Sequence, residues 1–200
     1  MAALLTKLTV NELAFASRWD KLIAADLVRE VETDTADHVE TIEEMRRFLA
    51  IKGYRQMHDL LTAETKGRTG TAALKAMAAA SRRYAKERPG LSAATFRSPI
   101  VESPEWMQAF RAVRQLFEKA FSECGLDEVG ATHALRILRS LVRGFVINEM
   151  AGSFSGSEDF DDSFELAMEM FLRGLPILRG KEPKLPCQRA TKIAFHAQVG

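Results

Sequence analysis

Apolar residues recur at intervals of three and four along most of the chain, and no run alternates with the period of two that a strand requires. The pattern predicts an all-α protein. It is densest between 131 and 175. Ala134, Leu138, Leu141 and Phe145 share one helix face, and Leu135, Val142 and Val146 form a stripe beside them, widened by Ile137 and Ile147. A helix on the outside of a monomer needs one apolar face. This helix has nearly two, which predicts contact with its own core on one side and with another body on the other. A second helix carries Phe160, Phe164, Ala167, Phe171 and Leu175, with Met168 and Leu172 adjacent. Two such helices predict half of a four-helix interface completed by a second copy of the chain. Its expected residues are Leu138, Leu141, Val142, Phe145, Phe164, Met168 and Phe171.

Start and stop signals divide the remainder. Thr9-Val10-Asn11-Glu12 and Thr41-Ile42-Glu43-Glu44 are capping boxes, opening one helix to about Asp20 and a long one to about Ala63. A short helix fits Leu22 to Val31 between them. Gly67 to Gly70 reads as a turn, because it lacks the lysine and spacing of a phosphate-binding loop. A helix from Thr71 to Arg88 is ended by Pro89-Gly90, and Ser103-Pro104 starts another that runs to Cys124. Asp127 opens the first of the two long helices, and Gly152 sits where its C-terminus favours glycine. Glu158, Asp159, Asp161 and Asp162 gather before the second, which points to capping and the helix macrodipole rather than to a cation site.

Two hundred residues with 46% apolar content suit a globular protein of one or two domains. No apolar run approaches the ~20 residues that span a bilayer, and residues 1–10 lack a signal-peptide core, so the expected location is the cytoplasm. Cys124 and Cys187 are then expected as free thiols. The net charge is only +1, but residues 1–52 hold seven basic against ten acidic side chains (−3) and residues 179–200 hold five against one (+4). That basic tail is expected to be solvated and irregular. The four histidines, His38, His58, His133 and His196, have no metal-ligand spacing, and no serine or cysteine has a nucleophile's context. No catalytic residue, metal or cofactor is expected. Tyr84, Phe96, Trp106, Phe110, Phe117 and Phe145 fall on helices that would pack together. They form either plain core or the wall of an apolar cavity for a small hydrophobic molecule, with Met107 and Arg143 beside them.

Several runs together resemble the TetR family of transcriptional regulators. They are His38-Val39-Glu40, Glu44-Met45-Arg46-Arg47, Leu49-Ala50, Gly53-Tyr54-Arg55 and Tyr84-Ala85-Lys86-Glu87-Arg88-Pro89-Gly90. The most specific is Leu135-Arg136-Ile137-Leu138-Arg139-Ser140-Leu141-Val142-Arg143-Gly144-Phe145, followed by Glu149, Gly152, Phe154, Asp161-Asp162-Ser163-Phe164 and Gly174-Leu175. These look like the subgroup whose C-terminal domain carries a Trp-His-Gly type motif, here with Arg143 in place of the histidine.

The resemblance implies a homodimeric repressor released from operator DNA by a small hydrophobic effector. It implies a helix-turn-helix unit over 1–45, an effector-binding and dimerisation domain over 46–178, and a flexible tail over 179–200. Operator contacts are expected from Thr33, Thr35, Ala36 and His38, with Lys21 and Arg29 near phosphates. The stretch Glu32 to Asp37 leads straight into His38 and is shorter than the family's unit, and Glu30, Glu32, Asp34 and Asp37 surround the reading position. The alternative is therefore a TetR-like dimeric ligand-binding or interaction protein that has lost specific DNA binding.

Overall fold

The structure is a computed structural model that describes residues 25–30, 42–96, 103–153 and 159–180. A helical segment at 25–30 precedes six helices: α1 (Ile42–Glu64), α2 (Gly70–Glu87), α3 (Pro89–Ala94), α4 (Pro104–Glu123), α5 (Glu128–Ala151) and α6 (Phe160–Gly174). A 3-10 turn over Leu175–Leu178 follows, and there is no strand among the described residues. The described residues are all-α, as the periodicity predicts.

The helix ends follow local chemistry. Asp127 accepts from the Gly130 amide at 2.7 Å and Asp159 from the Asp161 amide at 2.8 Å, so each carboxylate satisfies an orphan donor at the start of α5 or α6. Gly152 ends α5 at φ 65°, in the left-handed region, and the Ser153 amide reaches back to the Asn148 carbonyl at 2.9 Å. Pro89-Gly90 ends α2 as expected, but it also begins a helix of six residues, with Pro89 in its first turn.

One core joins α1, α2, α4, α5 and α6, built around Leu61, Leu74, Met77, Phe121, Ala134, Leu138, Val146 and Met168. A smaller cluster of Leu49, Tyr84 and Leu91 seats α3 against α1 and α2. The α1–α3 approach is close because residue 53 is glycine. A Cβ there would stand 2.8 Å from the Leu91 carbonyl oxygen and 3.0 Å from Thr95 Cγ2. Across the other end, Arg82 ties three helices together. It donates to Glu149 of α5 at 3.1 Å and to Asp161 of α6 at 2.6 Å, and its guanidinium lies 4.8 Å from the centre of the Phe164 ring.

The burial corrects the interface expected from the sequence. Leu138, Val142, Phe164 and Met168 are buried in the chain's own core, so they offer no surface to a second copy. Leu141, Phe145 and Phe171 are half-buried, with Phe145 edge-on to Phe164 at 5.4 Å and Phe171 edge-on to Phe121 at 6.4 Å. The large apolar side chains left in water are Ile137, Leu166, Met170 and Ile177, at 47, 59, 68 and 70% exposure. The core stripe of α5 runs through Ala134, Leu138, Val142 and Val146, drawing on both faces read from the sequence.

Candidate functional site

A cavity of about 320 Å3 lies between α1, α2, α4, α5 and the residues that end α3. That is near the lower end of the ~300–1,000 Å3 range of small-molecule sites. Tyr54 and Met57 of α1, Ala78, Ser81 and Ala85 of α2, and Phe110, Val113 and Phe117 of α4 form three walls. Leu135, Leu138, Val142 and Val146 of α5 form the fourth, and Ser92, Thr95 and Phe96 line the α3 side. Four arginines complete it: Arg114 from α4 and Arg136, Arg139 and Arg143 from α5.

Polar contacts fix the geometry near α3. The Tyr54 hydroxyl donates to the Thr95 carbonyl at 2.6 Å, and the Tyr54 ring meets Phe110 edge-on at 5.7 Å. Arg139 donates to the same carbonyl at 3.4 Å, and Arg143 stacks its guanidinium 4.0 Å from the centre of the Phe96 ring. Burial pushes the Tyr54 pKa up from its ordinary value, opposed by the Arg139 charge and its hydrogen bond. Tyr54 is therefore a neutral donor at physiological pH.

The other end of α3 is held by the 25–30 segment. Asp26 is buried and accepts from the Gly90 amide at 2.7 Å and the Leu91 amide at 3.4 Å, which satisfies the first donors of α3. It also pairs with Arg29, and Arg88 Nε lies 3.9 Å from its carboxylate. Glu30, equally buried, pairs with Arg88 and with Lys52 of α1 at 3.1 Å. Burial and then the Asp26 charge push the Tyr84 pKa far above its ordinary value. The helix whose far end reaches the cavity is thus anchored at its near end to the segment before residue 31.

Of the ligand residues expected from the sequence, Phe96, Phe110, Phe117 and Arg143 line the cavity. Tyr84, Trp106, Met107 and Phe145 do not. Tyr84 is buried beside Leu49 and Leu91 with its hydroxyl 3.2 Å from Gln56 Oε1, Trp106 is buried in the main core, and Phe145 packs on α6. Met107 is half-buried on the first turns of α4. The periodic reading missed Tyr54, Thr95 and the arginines Arg136 and Arg139. The spacing of Arg136, Arg139 and Arg143 by three and four was the available signal. Of the expected DNA contacts, only Arg29 is described. Lys21, Thr33, Thr35, Ala36 and His38 lie outside the described residues. Glu30, expected near the reading position, is turned inward onto Arg88 and Lys52. No group of side chains able to hold a metal is found among the described residues, and none of their helices is long and apolar enough to cross a membrane.

Residues 74–171 match the family described as tetracyclin repressor-like, C-terminal domain. An uncharacterized HTH-type transcriptional regulator of Mycobacterium tuberculosis is 32% identical over 138 residues, an alignment that takes in 67% of this chain and 63% of that protein. Another from Bacillus subtilis is 28% identical over 147 residues, covering 70% of this chain and 73% of that one. A protein of unknown function from Rhodococcus sp. RHA1 shares the fold, with a TM-score of 0.60 at 16% identity over 86% of this chain and 92% of its own. The chain thus spans just under two thirds of the length of its Mycobacterium relative. The matched family model, the sequence relatives and the helical architecture agree, and residues 74–171 form a C-terminal domain of the TetR type.

Proposed function

We propose that this protein is a ligand-responsive transcriptional repressor that binds operator DNA as a homodimer and leaves it when a small effector enters the α1–α5 cavity. The observation that carries the reading is α3. One end of this six-residue helix is capped by Asp26, and the residues after its other end, Thr95 and Phe96, line the cavity. A ligand that displaces Phe96 or the Thr95 carbonyl shifts a short rigid element whose first amides hold the N-terminal segment. Binding at the cavity and binding through residues 1–45 would then share one free energy, which is the condition for allostery. The inward placement of Glu30 supports the reading too, because that carboxylate is matched by Arg88 and Lys52 instead of opposing a phosphate. The exposed Ile137, Leu166, Met170 and Ile177 on α5, α6 and the turn after it supply the apolar surface for a second copy.

A mobility-shift assay against the DNA flanking the protein's own gene tests this. The expected result is a specific complex whose affinity falls with salt, with a log–log slope of roughly −0.9 per phosphate contact. The two reading segments of the dimer would sit about 34 Å apart, one turn of DNA. A dimer that shows no preference for that DNA over unrelated sequence would leave the second reading, a ligand-binding protein without operator recognition. The acidic Glu32, Asp34 and Asp37 favour that second reading.

A further inference from the structure

The cavity is apolar within and cationic at its rim. Phe110, Val113, Phe117, Leu138, Val142 and Val146 form the apolar part. The α5 side is set by Arg136, Arg139 and Arg143, all exposed, and no Asp or Glu lines the cavity among the described residues. Arg114 is matched by Glu118, one turn along α4, at 2.5 Å. The three α5 arginines have no carboxylate partner among the described residues. Arg139 faces a neutral carbonyl and Arg143 a phenyl ring, contacts that orient the guanidinium groups without cancelling their charge. A like-signed cluster beside an apolar wall raises the local potential and favours an anion over a neutral or cationic molecule of the same shape. Guanidinium forks also match the geometry of oxyanions.

From this we infer that the cavity takes an anionic amphiphile. Its apolar chain or ring lies among Phe110, Phe117 and Val146, and its carboxylate or phosphate head meets Arg139 and Arg143. The inference rests on the cavity being the effector site and adds the chemical class of the effector. It revises the small hydrophobic molecule expected from the sequence, because the aromatic residues Tyr54, Phe96, Phe110 and Phe117 are a minority of the lining, which also carries four arginines.

The test compares decanoate, decyl phosphate, 1-decanol and decyltrimethylammonium by isothermal titration on the full chain. At least one of the two anions is expected to bind about tenfold or more tightly than the alcohol, as suits charge-assisted hydrogen bonds at a partly exposed rim, and the cation to bind weakest. The comparison of decanoate with decyl phosphate identifies the head group. In the Arg139→Gln/Arg143→Gln double variant the anion is expected to lose about tenfold while the alcohol keeps its affinity, the latter reporting an intact cavity. Should that variant fail to fold, added salt on the wild type separates the same cases, since it weakens anion binding and spares the alcohol. An alcohol that binds within tenfold of both anions, or an anion indifferent to salt and to the arginines, overturns the anionic class and leaves a neutral effector. No binding by any of the four overturns both this inference and the effector reading.

Discussion

Asp26 shows how much rests on single side chains. Its carboxylate accepts the first amides of α3 from 64 residues away, and nothing in the local sequence announces that partner. Asp26→Ala should cost about 1–3 kcal/mol, the range for removing a helix cap or a charged acceptor, measurable by urea unfolding. A loss no larger than that of a surface substitution would show that water replaces the carboxylate. The two buried tyrosines give a pH prediction. Both have folded pKa values raised above the ordinary 10.0, so the folded state keeps protons that the unfolded state loses. Their contribution is complete below pH 10.0 and fades as pH rises above it. Tyr54→Phe and Tyr84→Phe should each flatten the alkaline limb of a stability-against-pH curve. An unchanged limb would mean that the hydroxyls ionise as readily folded as unfolded.

Among the elements, α3 links the two regions of interest, and its position depends on Gly53. Gly53→Ala should destabilise by about 1–3 kcal/mol, because the new methyl meets backbone at the Leu91 carbonyl, which yields less easily than a side chain. Thermal unfolding checks this, and a stabilised variant, as a plain gain in helix propensity would produce, would contradict the close packing. The described helices from residue 42 on were legible, α3 excepted, because Pro89-Gly90 reads locally as a stop. The capping box at 41–44, Ser103-Pro104 and the glycines after α4 and α5 mark boundaries in the sequence because caps are local chemistry, whereas the helix expected from Thr9 to about Asp20 lies outside the described residues. Which face of each helix turns inward was less legible. On α5 both apolar stripes qualify as core by periodicity, and only packing against α2, α4 and α6 selects Leu138 and Val142 over Ile137. The cavity was half legible for a related reason. Phe96, Phe110 and Phe117 stand out by composition, whereas Tyr54 and Arg139 line it from α1 and α5 and meet at the Thr95 carbonyl, a contact that no local pattern announces.

For the whole molecule, dimerisation and coupling are the properties at issue. Leu166 and Met170 lie one turn apart on α6 and are well exposed. Leu166→Glu with Met170→Glu should convert a dimer at micromolar concentration into a folded monomer in light scattering, since it places charges at the apolar contact without touching the core. A wild type that is already monomeric, or a double variant that stays dimeric, would move the interface elsewhere. The central claim is that the cavity and the N-terminal unit communicate through α3. Fluorescence anisotropy tests it by measuring the affinity for the gene-flanking DNA with and without a saturating cavity ligand. The account predicts that ligand weakens DNA binding by about 5–150-fold, the usual range of an allosteric coupling of 1–3 kcal/mol, and that Asp26→Asn reduces that ratio. Equal DNA affinity with the cavity empty and occupied would contradict it.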